Sequence, residues 1–491
     1  MIAAHTVAQV RAAEGRVMAR LPAGLLMQRA AAAVDVESAR ILREVAGGVV
    51  GRRVVVLAGA GDNGGDALFA AARTARRGAD VLVLTTSGRV HAAGAAAARA
   101  AGARVRPFAP EDTALCAEAD LLLDGIAGIG GSGGLREPLR PLPAALDADG
   151  GPVVLALDLP SGLDADAGRL DAAVLPADVT LTFGTAKPCH LLGPAARTCG
   201  RLVVVDIGIT GELPAPSVRR LEPVDAARAW RRARPEDDKY SRGVVGVVAG
   251  GADYTGAAVL AVEGAVRAGA GMVRYGGPAH PAELVRHVRP EVVVGPGRVQ
   301  AWVLGPGVAP DDEEQGARIA AALASGEPAV VDAGALARLP EGLAPQHVLT
   351  PHAGELARLL ATLGRDVDRA AVEADPAAHA HDAARATGAT VLLKGTVTTV
   401  AGPGGDVVTA ASATPWLSTA GAGDVLAGIL GTVLAGHAGA LAADPTRAAE
   451  LAAVAAVVHG RAAALAAAGG PVAARDVADA VPAALTSLPG W

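Results

Sequence analysis

Residues 54–66 read VVVLAGAGDNGGD. The first of these residues form a short run of branched apolar side chains, which is typical of a strand that is covered on both faces of a sheet. The glycines that follow permit a tight turn and a close approach of the backbone, and an alanine-rich, helix-like segment comes next. A strand, a glycine turn and a helix in this order predict an α/β unit with a largely parallel sheet.

The same alternation recurs along the chain. In the first half, strand-like runs lie near residues 54–58, 81–84, 121–123, 153–157, 179–183 and 202–205. After a proline-rich segment, a second series lies near residues 244–249, 302–304, 329–332, 348–350, 391–393 and 397–400, and alanine-rich helices follow around 447–467. We therefore predict two doubly wound α/β domains, residues 1–215 and 226–491, with a linker near 212–225.

Composition and charge exclude several classes of protein. The chain of 491 residues has 44 basic and 50 acidic side chains without long blocks of one sign, which disfavours nucleic acid as a partner. The uncharged stretch 425–443 contains His437 and several glycines, so we predict a buried helix followed by a turn and no membrane span. The three cysteines lack metal-ligand spacing and fit a reducing compartment, so we expect a cytoplasmic protein.

Polar side chains stand at the ends of three predicted strands of the first half. Asn63 lies in the glycine turn, Asp124 ends the run 121–123, and Asp158 ends the run 155–157 with Ser161 just beyond it. A lone aspartate after a strand is more often a turn former, but the carboxyl ends of parallel strands share one crevice. We therefore expect these four side chains to converge. The G-x-G-x-x-G spacing of 59–64 is a weak sign of dinucleotide binding, because no acidic residue follows the next strand.

Four motifs of the first half, in their order along the chain, resemble the YjeF N-terminal family, the NAD(P)H-hydrate epimerases. They are residues 61–66, 124–134, 157–162 and 182–188, and the resemblance covers residues 1–210. It implies that Asp158 is the acid/base at the hydrated carbon, and that a K⁺ ion is held by Asn63, Asp124 and Ser161. It also implies substrate contacts from Asp62, Asn63, Gly64, Gly65, Asp66, Gly128, Ile129, Gly130, Gly131, Ser132, Gly133, Gly134 and Asp158. Lys187 fits a site residue or a surface cation about equally well.

In the second half, residues 421–424 read GAGD and precede an apolar, helix-like run. Free N–H groups at a helix start bind a phosphoryl group, and Asp424 is placed to take a proton from an attacking hydroxyl. This motif is typical of ribokinase-like folds. Two accessory residues have plainer alternatives: His352 as a histidine in a turn, and Lys394 as a surface cation.

Together with TPHAGE at 350–355, this motif resembles the NAD(P)H-hydrate dehydratase branch of the ribokinase-like superfamily, over residues of about 230–485. The resemblance implies Asp424 as the catalytic residue and substrate contacts at Ala257, Gly307, His352 and Asp424. It implies nucleotide contacts at Lys394, Gly395, Thr396, Val397, Thr398 and Gly423. The chain departs from the usual residues of the two families at Asp62, Ala420 and 411–415.

These resemblances predict an enzyme that repairs hydrated NAD(P)H. The first domain would interconvert the R and S forms of the hydrate, NAD(P)HX, and the second would dehydrate the S form with ADP and Mg²⁺, releasing AMP and phosphate; the motifs do not exclude ATP. We expect NAD(P)HX and ADP as partners, no nucleic acid, no membrane, and a homo-oligomer. Two alternatives stay open: a sugar or vitamin kinase, which the GAGD motif permits equally well, and a first domain that only binds a ligand.

Overall fold

The computed structural model describes residues 1–131, 133–146, 150–170, 172–410 and 413–491. The chain forms two compact units, Ala3–Ser217 and Val218–Trp491, and the second unit includes Met1–Ile2. Each unit is an α/β fold on a largely parallel sheet, as predicted. The segment predicted as a linker is partly regular structure, because a strand begins at Val218 and a helix begins at Pro223.

The first unit is built on seven parallel strands. These seven strands are β2 (Arg53–Ala58), β3 (Asp80–Thr85), β4 (Arg104–Pro107), β5 (Leu121–Gly125), β6 (Val153–Leu157), β7 (Val179–Phe183) and β8 (Arg201–Val205), and the short strand β1 (Ile2–Ala4) precedes them in the chain. Its helices are α1 (Val7–Met18), α2 (Leu25–Ala46), α3 (Asp62–Arg76), α4 (Ala92–Ala100), α5 (Asp112–Ala117) and α6 (Leu142–Leu146). The strand order β4–β3–β2–β5–β6–β7–β8 brings the ends of β2, β5 and β6 side by side.

Two features of the first unit differ from expectation. Residues 62–66, expected in a loop, are the first turn of α3, which begins after the extended residue Gly61. Gly64 permits this early start, because a Cβ at that position would lie 2.0 Å from the carbonyl oxygen of Gly59. Strand β4 was not predicted, since it is a mostly exposed edge strand that carries Arg104 and Arg106 and so lacks an apolar run.

The second unit has a longer sheet, in which β16–β17 and β17–β18 are antiparallel pairs. Its strands are β9 (Val218–Arg220), β10 (Val244–Val248), β11 (Met272–Tyr275), β12 (Val293–Val294), β13 (Ala301–Leu304), β14 (Ala329–Val331), β15 (His347–Leu349), β16 (Thr390–Leu393), β17 (Thr398–Ala401) and β18 (Val407–Ala410). From β9 the order is β9–β18–β17–β16–β15–β14–β13–β10–β11–β12. The unpredicted strands β11, β12 and β18 are short.

Helices cover both faces of this sheet. They are α7 (Pro223–Ala229), α8 (Thr255–Arg267), α9 (Ala279–Val288), α10 (Glu313–Ala324), α11 (Ala353–Thr362), α12 (Arg369–Ala374), α13 (Pro376–Thr387), α14 (Ala422–Gly436), α15 (Ala438–Ala443), α16 (Ala448–Ala467) and α17 (Ala474–Thr486). Helix α14 is buried and ends before His437, which confirms the predicted buried helix and turn. By length and composition, the stretch Pro445–Ala467 is apolar enough to cross a membrane, yet 78% of that window is buried inside the fold.

Candidate active sites

Asp158 follows β6 in a backbone conformation that few residues adopt. Its φ is +67°, and its N–H donates to the carbonyl oxygen of Leu181 at 2.8 Å, so β7 holds the turn in place. Left-handed backbone at a residue other than glycine costs free energy and is concentrated at functional sites. The side chain is buried, and its Oδ2 accepts an N–H from Ile129 at 3.2 Å. The fold therefore fixes both the backbone and the carboxylate of Asp158.

Lys187 lies beside this carboxylate and is only 1% exposed, so of the two alternatives the surface cation is wrong. Its Nζ donates to Asp158 Oδ1 at 2.5 Å, to Thr182 Oγ1 at 2.8 Å and to the carbonyl oxygen of Phe183 at 3.2 Å. Burial opposes ionisation of Asp158, but the charge and hydrogen bond of Lys187 outweigh it, so the pKa of Asp158 lies below its ordinary value. Asp158 is therefore an ionised carboxylate, suited to accept a proton.

The three oxygen-bearing side chains expected to bind K⁺ lie at the ends of β5 and β6 and the start of α3. Ser161 Oγ donates to Asp124 Oδ1 at 2.6 Å, and the Ser161 N–H donates to Asp124 Oδ2 at 2.8 Å. Burial raises the pKa of Asp124 to about 6, against these hydrogen bonds. Asn63 donates to the carbonyl oxygen of Leu157 at 3.0 Å, while its buried Oδ1 has no hydrogen-bond partner among the described residues. An orphaned oxygen beside a buried carboxylate and hydroxyl fits a cation.

The glycines of the loop after β5, which are predicted to contact the substrate, lie in different surroundings. A Cβ at Gly128 would lie 3.2 Å from Asp158 Oδ2 and 3.3 Å from Asn63 Cβ, so this glycine leaves room between the two side chains. Gly134 instead packs against Ala172, where a Cβ would lie 2.4 Å from the alanine Cβ. Ser132 lies outside the described residues.

Two further carboxyl groups lie within electrostatic reach of Asp158. Asp66, in the first turns of α3, has a buried Oδ1 without a partner among the described residues. Its pKa is raised well above the ordinary value by burial and by the charges of Asp158, Asp62 and Glu14. Glu14, on α1, was not predicted at all, because it belongs to none of the four motifs. Its pKa is also raised, first by burial, although Lys187 acts in the opposite direction.

In the second unit, Asp424 stands in the first turn of α14. Gly421 precedes the helix with a φ of +86°, and no side chain caps this helix start, so its N–H groups face outward for an anion. Burial raises the pKa of Asp424 to about 7; the charge of Asp332 adds to the rise and Lys394 opposes it. Asp424 therefore exchanges a proton near neutral pH.

Lys394 lies between the TPHAGE segment and this helix start and pairs with carboxylates, so the alternative of a surface cation is wrong. Its Nζ donates to Asp332 Oδ1 at 2.8 Å and lies 3.8 Å from Glu355 Oε2. A Cβ at Gly423 would lie 3.3 Å from the same Nζ, so the ammonium group sits directly beneath the GAGD turn. Asp332 was missed as a site residue because it ends β14 far from any of the motifs. Ala333 follows it with a φ of +47°, a second strained backbone at a site.

The remaining predicted residues lie around this centre. His352 caps α11, since its Nδ1 accepts the N–H groups of Gly354 at 3.0 Å and Glu355 at 3.2 Å, and the ring stays 53% exposed. His352 is thus a capping histidine, as the plainer alternative has it, and its exposed ring is also free to contact a substrate. Residues 394–397 form the turn between β16 and β17, with Gly395 and Thr396 exposed, and Thr398 begins β17.

Ala257 and Gly307 are direct neighbours. Gly307 has a φ of +65°, and a Cβ there would lie 2.6 Å from the Ala257 Cβ. Ala257 lies in the first turn of α8, which packs along α14 where Gly264 meets the carbonyl oxygen of Val425. Two of the predicted substrate contacts, Ala257 and Gly307, therefore lie side by side.

Comparison with known proteins identifies both halves. A family model described as "YjeF-related protein N-terminus" matches residues 23–189, and one described as "NAD(P)H-hydrate dehydratase" matches residues 245–482. The bifunctional NAD(P)H-hydrate repair enzyme Nnr of Mycobacterium tuberculosis is 43% identical over 443 residues, which cover 88% of this chain and 89% of that protein. An NAD(P)H-hydrate epimerase of Clavibacter michiganensis is 43% identical over 44% of this chain and 94% of its own length.

Among solved structures, an ADP/ATP-dependent NAD(P)H-hydrate dehydratase from Bacillus subtilis, co-crystallised with ATP/Mg²⁺, is 26% identical, with a TM-score of 0.49 over 55% of this chain and 99% of that chain. The resemblances drawn from the motifs are confirmed by the family models and the full-length relative. Because that relative is matched over most of both proteins, this chain belongs to the family of bifunctional NAD(P)H-hydrate repair enzymes.

Proposed function

We propose that the first unit interconverts the R and S forms of NAD(P)HX at Asp158, and that the second unit dehydrates the S form with ADP at Asp424. One observation carries the second half of this proposal: a carboxyl group with a pKa of about 7 stands at an uncapped helix start, beside a partly buried lysine. Transfer of a phosphoryl group to a hydroxyl requires a base that takes the hydroxyl proton, close to the helix end that binds the phosphoryl group. The family to which the chain belongs indicates the substrate, hydrated NAD(P)H.

Dehydration needs a better leaving group than hydroxide. Asp424 takes the proton from the ring hydroxyl, whose oxygen then bonds to the terminal phosphorus of ADP while the bond to AMP breaks. The N–H groups at the start of α14 and the Lys394 ammonium stabilise the charge on the transferred group. Phosphate then leaves the ring carbon with its electron pair, and loss of a proton from the neighbouring carbon restores NAD(P)H.

The two ions fit the described residues differently. The described residues contain no group of three or more His, Cys, Asp or Glu side chains that could hold a metal, so Mg²⁺ would be carried mainly by the nucleotide phosphates, as is usual for this ion. Asn63, Asp124 and Ser161 would hold K⁺, with the orphaned Asn63 Oδ1 as one ligand. The charge of the ion would balance the buried Asp124 carboxylate.

The test is the rate at which reduced nicotinamide absorbance appears from the S hydrate and ADP. We expect Asp424→Asn to lower this rate by about 10²–10⁴-fold, the usual contribution of a positioned base. Asp366→Asn, which removes an exposed aspartate after α11, is the matched control and should leave it unchanged. Full turnover by Asp424→Asn would refute the assignment, and a stable phosphorylated product would favour a kinase. Replacing ADP by ATP in the same assay decides the donor.

Two broader expectations belong to the same proposal. We place the enzyme in the cytoplasm, where its substrates are made, since its three cysteines are all buried and fit a reducing compartment. We also propose a homo-oligomer. Light scattering after size-exclusion chromatography measures its mass, and a mass of one chain would refute this part.

A further inference from the structure

His5 is a buried histidine of the first unit whose two ring nitrogens both lie within hydrogen-bond distance of an oxygen atom. The residue is only 3% exposed. Its Nε2 lies 2.9 Å from the carbonyl oxygen of Pro214, and its Nδ1 lies 2.8 Å from the hydroxyl oxygen of Thr185. His5 lies outside the four motifs and outside residues 23–189, which the YjeF-related model matches. Its ring therefore connects the first residues of the unit to the motif at 182–188.

The ring of His5 is held in one orientation. The His5 N–H donates to the carbonyl oxygen of Ala186 at 3.0 Å, which fixes the backbone. Because a carbonyl oxygen can only accept, Nε2 carries the ring hydrogen that points to Pro214. Burial lowers the pKa of His5, against the hydrogen bond to Pro214, so the ring is neutral and its Nδ1 accepts from the Thr185 hydroxyl. The carbonyl oxygen of Ala3, 3.0 Å from the same hydroxyl, is the second group that holds it.

Thr185 belongs to the tight turn 182–187, which presents Lys187 to Asp158. Within this turn, the Thr185 N–H donates to the carbonyl oxygen of Phe183 at 2.8 Å. The Lys187 ammonium donates to the same carbonyl oxygen at 3.2 Å and to the hydroxyl of Thr182 at 2.8 Å. That hydroxyl lies 3.1 Å from Asp158 Oδ1 and 3.3 Å from the carbonyl oxygen of Thr185. The position of Thr185 is thus linked to both groups that contact Asp158 Oδ1.

The turn is anchored on two sides. On one side, Gly184 adopts a φ of +72°, and its N–H donates to the carbonyl oxygen of Val205 at 2.7 Å. On the other side, the hydroxyl of Thr185 is held by His5. Hydrogen bonds of this kind, one step removed from a site, lock the rotamers of the residues that form it. Loss of the second anchor would therefore shift the Lys187 ammonium relative to the carboxylate that it holds.

We infer that His5 is a positioning residue of the epimerase site, which acts through Thr185 to keep the turn 182–187 in place beside Asp158. This inference rests on the proposed epimerase function. No hydrogen bond among the described residues joins His5 to Asp158 or Lys187 directly, so its effect passes through the turn. A purely structural histidine would instead lower the stability of the unit and leave the rate per folded molecule unchanged.

The first experiment replaces the ring of His5 by one of similar shape, in the full-length chain and with purified R hydrate as substrate. His5→Phe leaves the Thr185 hydroxyl and the Pro214 carbonyl oxygen without their partner. We expect kcat for epimerisation to fall by about 10- to 100-fold with little change in KM, since a small misplacement of a catalytic group has effects of this size. His5→Asn, which keeps a hydrogen-bonding side chain facing Thr185, should recover part of the rate.

Two further variants identify the route of the effect. Ser217→Ala is the matched control, because Ser217 Oγ donates to the carbonyl oxygen of Ala4, next to His5, without reaching the turn; its rate should equal that of the unchanged enzyme. Thr185→Val removes the other partner of the His5 hydrogen bond and should lower kcat as His5→Phe does. The variant with both changes should lose no more than either alone, because both break one connection. Losses that multiply would overturn the inference, and dehydration of the S hydrate should be unaffected throughout.

The pH profile of epimerisation separates positioning from a structural role. Because Asp158 must be ionised to accept a proton, the rate should fall as pH drops through its pKa. Lys187 and Thr182 hold this pKa down against burial, so a displaced turn should raise it. The acidic decline should therefore move to higher pH in His5→Phe.

The other titratable groups that interact electrostatically with Asp158 are Glu14, Asp66 and His190, and they are the same in every variant. A full rate in His5→Phe, or a lower rate with an unmoved acidic decline, would overturn the inference. If His5→Phe does not fold, Thr185→Val decides by the same two criteria. An unchanged enzyme that does not epimerise the R hydrate would instead refute the proposed function.

Discussion

In the second unit, one lysine faces three carboxyl groups. The Lys394 ammonium contacts Asp332 and lies near Glu355, and both of these carboxylates and Asp424 raise its pKa against the effect of burial. Thr350 Oγ1 donates to Asp332 Oδ1 at 2.8 Å, which leaves Asp332 fixed as the charged neighbour of Asp424. Asp332 therefore adds to the effect of burial in raising the pH at which Asp424 becomes a base.

This arrangement predicts the pH dependence of dehydration. Because Asp424 must be ionised and its pKa is raised to about 7, the rate should fall as pH drops below neutrality. Asp332→Asn removes the negative charge that raises this pKa and frees Lys394 to pair with Asp424, so the decline should move to lower pH by about one unit or more. The profile of kcat/KM against pH measures this shift; an unmoved decline, or a shift to higher pH, would contradict it.

At the level of elements, small residues decide how closely helices pack. A Cβ at Gly428 of α14 would lie 2.0 Å from the carbonyl oxygen of Ala261 on α8, whereas Gly439 of α15 has nothing within 4 Å of that position. Gly428 therefore permits backbone contact between α14 and α8, whereas Gly439 makes no such contact and only destabilises α15 through its backbone entropy.

The two glycines should therefore respond oppositely to alanine. Gly428→Ala forces a backbone shift and should lower the free energy of unfolding of the full chain by about 1–3 kcal/mol. Gly439→Ala should raise it by about 0.5–1 kcal/mol, because alanine is the better helix former. Urea unfolding curves give both values, and changes of the same sign in the two variants would rule out this account of the packing.

At the level of the whole molecule, each site is built from residues of a single unit. Asn63, Asp124 and Asp158 lie in Ala3–Ser217, and Asp332, Lys394 and Asp424 lie in Val218–Trp491. The two activities are therefore expected to be separable.

A mixing experiment tests this separation. With the R hydrate and ADP, Asp158→Asn should repair little and Asp424→Asn should stop at a mixture of epimers. An equimolar mixture of both variants should regain most of the repair rate, because the S form can diffuse from one protein to the other. The double variant is the control. A mixture no faster than the single variants would mean that the hydrate passes only within one chain.

Much of this architecture is visible in the amino-acid order. Runs such as Val179–Phe183 are buried on both faces, so their apolar character is continuous and their bounds were predicted closely. Glycine and aspartate at strand ends marked both sites, because parallel strands deliver their carboxyl ends to one rim. The edge strand β4 was not predicted, because an exposed strand needs no apolar run.

Local patterns therefore yielded the two sheets, the motifs at their rims and the family. Two roles were decided only by the folded chain: that of Lys187, which the sequence left open, as the buried partner of Asp158, and that of Asp332 as the neighbour of Asp424. Each acts through charge on a group distant in sequence, and the strength of that effect depends on distance and burial. Those quantities exist only once helices and sheets have packed, and no local pattern of residues encodes them.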